Sequence, residues 1–219
     1  LEILKKGGAK VDGERVFFPA QLVEAQIKKA PAEFTLYARN SDCNVVIGGS
    51  HMAFIPGYGA PFVTDLDMGR REGSLQDYEN FVKLTQASAY QDICSGMVIE
   101  PNDVPHEIRH AKMIYTAMKY SENPFMGSAM GARVARDSIQ MASILFGSED
   151  RLAEKPCMIS ILTSLTPLGY DERMLGAIIE YARAGQPQLI SSLVIAGATG
   201  PTTLAGTLAL QNAEILAGI

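Results

Sequence analysis

DICSGMVI (residues 92–99), FMGSAM (125–130), CMISILT (157–163) and LISSLVIA (189–196) are four short apolar runs of one kind. Their centres, Ile93, Met126, Met158 and Ile190, lie 33, 32 and 32 residues apart. Runs of this length, apolar on both phases, read as strands buried on both faces. Between them fall one-sided helical patterns: Ala111, Ile114, Ala117 and Met118; then Ala135, Ile139, Ala142 and Phe146; then Leu175, Ile178, Ile179 and Ala182. Alternating strand and helix implies a parallel sheet with right-handed crossovers. The period suits a (β/α)8 barrel better than an open doubly wound sheet. A barrel of that kind takes about 250 residues, so only about five units fit here. The first unit is expected as a strand over Met52–Ile55 and a helix over Ser74–Ala89. The expected fold is therefore α/β, a partial TIM-type barrel over residues 51–219. Five strands cannot close, which predicts an exposed apolar edge.

Residues 1–50 read differently and predict a small N-terminal α/β cap. They offer a short helix ending at Gly7-Gly8, a hairpin in VDGERVFF, a helix from Pro19 to Ala30, and strands FTLYAR and NVVIGG. At the other end, AGATGPTTLAGTLALQNAEILAGI (196–219) reads as a strand end, a Gly-rich turn and a helix. Thr199 is placed to cap that helix and Pro201 to sit in its first turn. No charge lies between Arg183 and Glu214, so strand and helix are both expected to be buried on most sides. The chain opens in helical pattern at Leu1, Ile3 and Leu4 and ends inside another, and is expected to be an internal piece of a longer protein.

Of the 219 residues 47% are hydrophobic, enough for a sizeable core and against disorder. A net charge of −5 and a pI near 5.3 argue against binding nucleic acid or an anionic membrane through bulk charge. Cys43, Cys94 and Cys157 show no CxxC spacing and read as free thiols of a reducing, cytoplasmic compartment. The uncharged run after Arg183 is broken by GATGPTT and reads as strand and helix rather than a membrane span.

HEIRH (106–110) satisfies the HExxH zinc pattern, but Pro105 puts it on a polar first helical turn and His51 lies far upstream. A solvated helix start is the preferred reading, with no metal site. GYGAPFVTD (57–65) offers Tyr58 and Phe62 as aromatic faces beside two glycines that let backbone approach a ligand. Its plainer alternative is a hairpin turn over buried aromatics. Glu100 falls at the end of the second strand as a candidate counter-ion or acid, while Asp103 reads as the N-cap of the next helix. Met97 and Met130 fall near strand ends, where most methionines fill core. Thr199 and Gly200 form a turn that could hold an anion, although capping is the safer role. No P-loop, GxGxxG or Ser-His-Asp arrangement is present.

Four stretches carry a family resemblance: GYGAPFVTDLDMGRREGSLQDYENFVKL (57–84), DVPHEIRHAKMIY (103–115), SLTPLGYDERMLGAIIEYARAGQPQ (164–188) and the final AGATGPTTLAGTLALQNAEILAGI. Together they resemble the trimethylamine/glycine betaine methyltransferase family. The resemblance implies a TIM-type barrel enzyme that moves an N-methyl group from a tertiary or quaternary amine to the Co(I) of a partner corrinoid protein. It implies no cofactor bound directly, a homo-oligomer, and a quaternary ammonium cage for which Tyr58, Phe62, Met97, Glu100 and Met130 are the candidates. Family members with pyrrolysine act on trimethylamine and others on quaternary amines, and the resemblance sets that position after Ile219. Two rival readings are a non-catalytic half-barrel that serves binding or assembly, and a barrel enzyme that holds phosphate at Gly197–Pro201.

Overall fold

The computed structural model describes residues 1–94 and 96–219; Ser95, inside the second expected strand (DICSGMVI), lies outside the described residues. In order the elements are α1 (Glu2–Lys6), β1 (Lys10–Asp12), β2 (Arg15–Phe17), α2 (Ala20–Ile27), β3 (Glu33–Leu36) and β4 (Val45–Gly48). Then come β5 (Phe62–Asp65), β6 (Gly69–Glu72), α3 (Leu75–Ala87), α4 (His106–Tyr120), β7 (Phe125–Met126), α5 (Ala132–Phe146) and α6 (Glu149–Glu154). The last elements are β8 (Met158–Thr163), α7 (Glu172–Arg183), β9 (Gln188–Ser191) and α8 (Leu204–Gly218). The result is a mixed α/β chain. It divides into two compact units, one of residues 1–32, 163–171 and 190–219, the other of residues 33–162 and 172–189.

In the larger unit β7 pairs with β8 in parallel, Met126 opposite Ile159, within a three-stranded sheet ordered β7-β8-β9. A parallel bridge from Cys94 to Phe125 extends the ladder backwards, and another joins Ala60 to Ile99. Ile93, Met126 and Ile159 thus share one face of successive strands. The antiparallel hairpin β3-β4 closes over that face, and Leu36 and Val45 complete a core cluster with Phe34, Ile47, Ala53, Ile55 and Ile161 packed against it. Helices α4 and α5 bury Ile114, Ala117, Ala135, Ile139 and Ala142, the residues whose spacing predicts those helices. β8 is buried on both phases over Met158–Ser160, as a covered parallel strand must be.

The expected strand at Met52–Ile55 is a correction: residues 52–59 belong to no ladder. Phe54 is pinned instead by Asp92, whose carboxylate accepts the Phe54 amide at 2.7 Å while the Asp92 and Ile93 amides donate to the Phe54 carbonyl. Ala53 and Ile55 still reach the core, so the apolar signal reports burial without pairing. The strands that follow are β5 and β6, an antiparallel hairpin within and just after the GYGAPFVTD loop.

The start of α3 is built as expected and then reinforced. Ser74 and Asp77 form a reciprocal capping box, and Arg71 donates two hydrogen bonds to Asp77 at 2.5 and 2.8 Å. That guanidinium holds the Asp77 carboxyl well below the usual carboxylate range. Asp103 departs from its expected role: its carboxylate accepts the Leu75 amide at 2.8 Å, capping α3 rather than α4. The Asn102 amide donates to the Gly73 carbonyl and brings the loop there. With Asp77 and Asp103 still in place, Ser74→Ala is expected to cost only about 1 kcal/mol, read as a shift in urea midpoint.

In the smaller unit β1 and β2 form the expected hairpin. Residues 190–219 depart from expectation. β9 ends at Ser191, and Leu193 and Ile195 are exposed. α8 starts at Leu204, capped by Thr203, and Thr199 instead accepts the Ile195 amide and donates to the Leu193 carbonyl. Leu204 and Leu208 are exposed and the one fully buried residue of α8 is Glu214. Lack of charge therefore does not predict burial here. Small residues blur the contrast between the helix's faces, and the single carboxylate turns inward because it has partners there.

Among the described residues no helix is long and apolar enough to cross a membrane.

Candidate functional site

Parallel α/β folds place ligand-contacting groups where strands end and loops begin. In the larger unit two such ends are glycines, Gly96 after the strand-like residues 92–94 and Gly127 after β7. Three tyrosines converge on them. Tyr78, fully buried on α3, donates its hydroxyl to the Gly96 carbonyl at 2.7 Å. Tyr181, fully buried on α7, donates to the Ser128 carbonyl at 2.8 Å. Tyr58 lays its ring edge on Gly96, with Cε2 3.1 Å from where a Cβ would stand. Met126 lines the same spot, its Cβ 3.2 Å from that position. The missing side chains at Gly96 and Gly127 are what let the aromatic rings approach the backbone.

The Tyr58 phenol interacts with both other phenols. Burial pushes all three phenols above their usual pKa, so they stay neutral donors at physiological pH. Tyr58 is the open member, 47% exposed. Burial also pushes the Cys94 and Cys157 thiols up to about 12, which removes both as thiolate nucleophiles at neutral pH. What this corner offers is aromatic surface, thioether and neutral hydroxyl. It suits holding a cation more than attacking a substrate.

The remaining sequence candidates scatter. Met97 comes beside Tyr58, because the Gly59 amide donates to the Met97 carbonyl at 2.6 Å. The Glu100 amide donates to the Ala60 carbonyl, but its carboxylate is paired with Arg109, the arginine of HEIRH, which also donates to the Val104 carbonyl. Phe62 lies on β5 under Arg70, whose guanidinium carbon is 4.1 Å from the ring centroid, so one aromatic face already carries a cation. Met130 is half-exposed in the loop before α5. In HEIRH itself His110 pairs with Asp137 on α5 at 2.9 Å and His106 is exposed at the first helical position. In the smaller unit the amides of Gly197 to Gly200 all donate to carbonyls of their own turn. Sequence reading missed Tyr78, Tyr181, Gly96 and Gly127. The available signal was a glycine inside two of the apolar runs, Gly96 in DICSGMVI and Gly127 in FMGSAM, together with a tyrosine in the pattern of an amphipathic helix, Tyr78 on α3 and Tyr181 on α7.

Parallel strands with aromatic and glycine residues gathered at their carboxyl ends make this an α/β protein whose candidate site lies where such folds place their ligands. Residues 1–219 match the family described as trimethylamine methyltransferase (MTTB), and the chain belongs to that family. It is 55% identical over its full length to a glycine betaine methyltransferase of Desulfitobacterium hafniense (strain Y51), of which it covers 46%. Over 225 aligned residues it is 32% identical to the trimethylamine methyltransferase MttB of D. hafniense (strain DSM 10664 / DCB-2), covering 45% of that protein. A proline betaine:corrinoid methyltransferase of Eubacterium limosum is 27% identical over the whole chain, again with 46% of its own length covered. The chain thus spans just under half the length of the curated relatives it matches.

Proposed function

We propose that this chain is part of a cytoplasmic methyltransferase that moves one N-methyl group from a quaternary amine of the glycine betaine class to the Co(I) corrinoid of a partner protein. Its likeness to the glycine betaine enzyme across every residue is the observation that carries this reading. The parallel ladder and the layer of Ile93, Met126 and Ile159 support an incomplete (β/α)8 barrel over residues 51–219, with residues 1–50 as a cap. In the reaction the N–CH3 bond breaks with its electron pair left on nitrogen, giving dimethylglycine from glycine betaine. The carbon is taken by the partner's cobalt, which supplies the new bond's pair. The protein's work is then to hold the ammonium, exclude water and aim one methyl outward.

Tyr58, half-open above Gly96, is the proposed wall of the ammonium site, with Met97 beside it. Each aromatic face against a desolvated ammonium contributes about 0.5–2 kcal/mol. In the whole enzyme Tyr58→Ala is therefore expected to weaken glycine betaine binding by about 2- to 30-fold, and Tyr58→Phe much less. Titration calorimetry checks both, and equal affinity for Tyr58→Ala and the parent removes Tyr58 from the site.

The activity itself is tested by supplying cob(I)alamin and following methylcobalamin by its visible spectrum. Glycine betaine is expected to give turnover and trimethylamine none. Turnover with trimethylamine alone would overturn the quaternary assignment.

A further inference from the structure

Glu214 is the one fully buried residue of α8, only 1% exposed, and among the described residues its carboxylate is met by hydroxyls and a backbone amide rather than by a cation. Its Oε2 accepts three hydroxyls: Ser164 at 2.5 Å, Ser192 at 2.6 Å and Thr166 at 2.8 Å. Its Oε1 accepts the Leu168 amide at 2.8 Å, and its own backbone carbonyl accepts the Tyr170 hydroxyl at 2.7 Å. Ser164 directly follows β8 and Ser192 directly follows β9. The other three donors come from the loop after β8, which is closed by reciprocal Leu165–Gly169 backbone bonds of 2.8 Å. Leu168 stands at φ +55°, a left-handed conformation that a leucine adopts only when its surroundings impose it. Burial acts to raise the Glu214 carboxyl, but the four donated bonds outweigh it and hold the group below its usual value, so it is an anion at neutral pH.

A buried anion without a counter-ion is costly unless donors converge on it, and here they all come from strand-end loops. We infer that Glu214 is a positioning residue, an anionic hub that fixes the loops following β8 and β9 in one conformation for the reaction. The part of this inference that concerns catalysis rests on the methyltransferase reading above; the part that concerns the loops does not. Glu214 is assigned no contact with substrate. It acts through Ser164, Thr166, Leu168 and Ser192, and its loss frees the loops rather than removing a reacting group.

The test uses the whole enzyme with two readouts, hydrogen exchange at the Leu168 amide and kcat/KM with glycine betaine and cob(I)alamin. Glu214→Gln is expected to speed Leu168 exchange and to lower kcat/KM, each by at least 10-fold. Helix α5 amides should keep their protection, since they lie in the other unit. Thr166→Val, which keeps the shape and deletes one hydroxyl, is expected to move both readouts at least 3-fold, whereas Thr166→Ser stays within twofold. Ser74→Ala serves as the control that lowers stability without lowering kcat/KM. Unchanged Leu168 exchange in Glu214→Gln overturns the hub. Faster exchange with unchanged kcat/KM overturns the positioning role, as does Thr166→Ser falling as far as Thr166→Val. A parent enzyme inert toward every methylated amine overturns the proposed activity and with it the catalytic part, while Leu168 exchange still decides the hub.

Discussion

Gly127→Ala is expected to destabilise the fold by about 3–5 kcal/mol, because the added methyl has nowhere to go. An ideal Cβ at residue 127 would stand 2.3 Å from the Tyr181 hydroxyl oxygen, 2.9 Å from its Cζ and 3.1 Å from the Met158 sulfur. Tyr181 and Met158 are both fully buried, and a phenol is a rigid plate that can only swing as a whole. Moving it breaks the 2.8 Å bond to the Ser128 carbonyl and leaves a buried donor and acceptor unmatched. Overpacking costs about 1–3 kcal/mol and the lost buried bond about as much again. Thermal unfolding should show a drop of about 10 °C for a chain of this size. Pairing the change with Tyr181→Phe removes the closest contact, so the double variant is expected to be more stable than the two single costs predict. Additive costs, or a drop under about 2 °C, would mean that the loop after β7 yields more easily than this packing allows.

The legible parts of this fold are those where one physical signal dominates. Strands β7 and β8 and helices α3, α4, α5 and α7 follow directly from apolar runs and one-sided helical spacing, because parallel strands are covered on both faces and each helix on one. The strand expected at Met52–Ile55 fails because burial and pairing leave the same mark on a sequence; what pins Phe54 is an aspartate 38 residues away. Asp103 was readable as a cap but not as the cap of an earlier helix, since that choice depends on how the loop folds back onto Gly73. The site divides in the same way. Tyr58 stands out on the sequence as an aromatic between glycines. Tyr78 and Tyr181 look like ordinary core residues until the backbone carbonyls they serve are known. Glu214 is visible as the charge that ends a long uncharged stretch, yet only the partners gathered round it separate an anionic hub from a solvated helix end.

Gln186→Leu is the second large effect, and it acts at the opposite ends of the strands. Gln186 is almost fully buried between α7 and β9. Its side-chain oxygen accepts the Cys157 amide at 3.1 Å and the Met158 amide at 3.4 Å, and its nitrogen donates to the carbonyls of Leu152 at 2.7 Å and Ala184 at 3.0 Å. One amide thus ties the end of α6 to the start of β8 where neither can pair with water. Leucine fills the volume but orphans the Cys157 amide and the Leu152 carbonyl, at an expected cost of about 3–4 kcal/mol, independent of pH between 5 and 8. Gln186→Glu separates hydrogen bonding from shape. The carboxylate would point one oxygen at two carbonyl oxygens in a buried position, so the folded state favours its protonated form and raises its pKa above the unfolded value of about 4.3. Between those two values the folded chain binds more proton than the unfolded chain, so stability falls as pH rises. The deficit of Gln186→Glu should therefore be small near pH 5 and larger at pH 8, while that of Gln186→Leu stays flat. Urea unfolding at the two pH values reads this directly. A flat deficit for both variants would mean that water reaches the side chain, and that β8 is anchored at its start by something other than this amide.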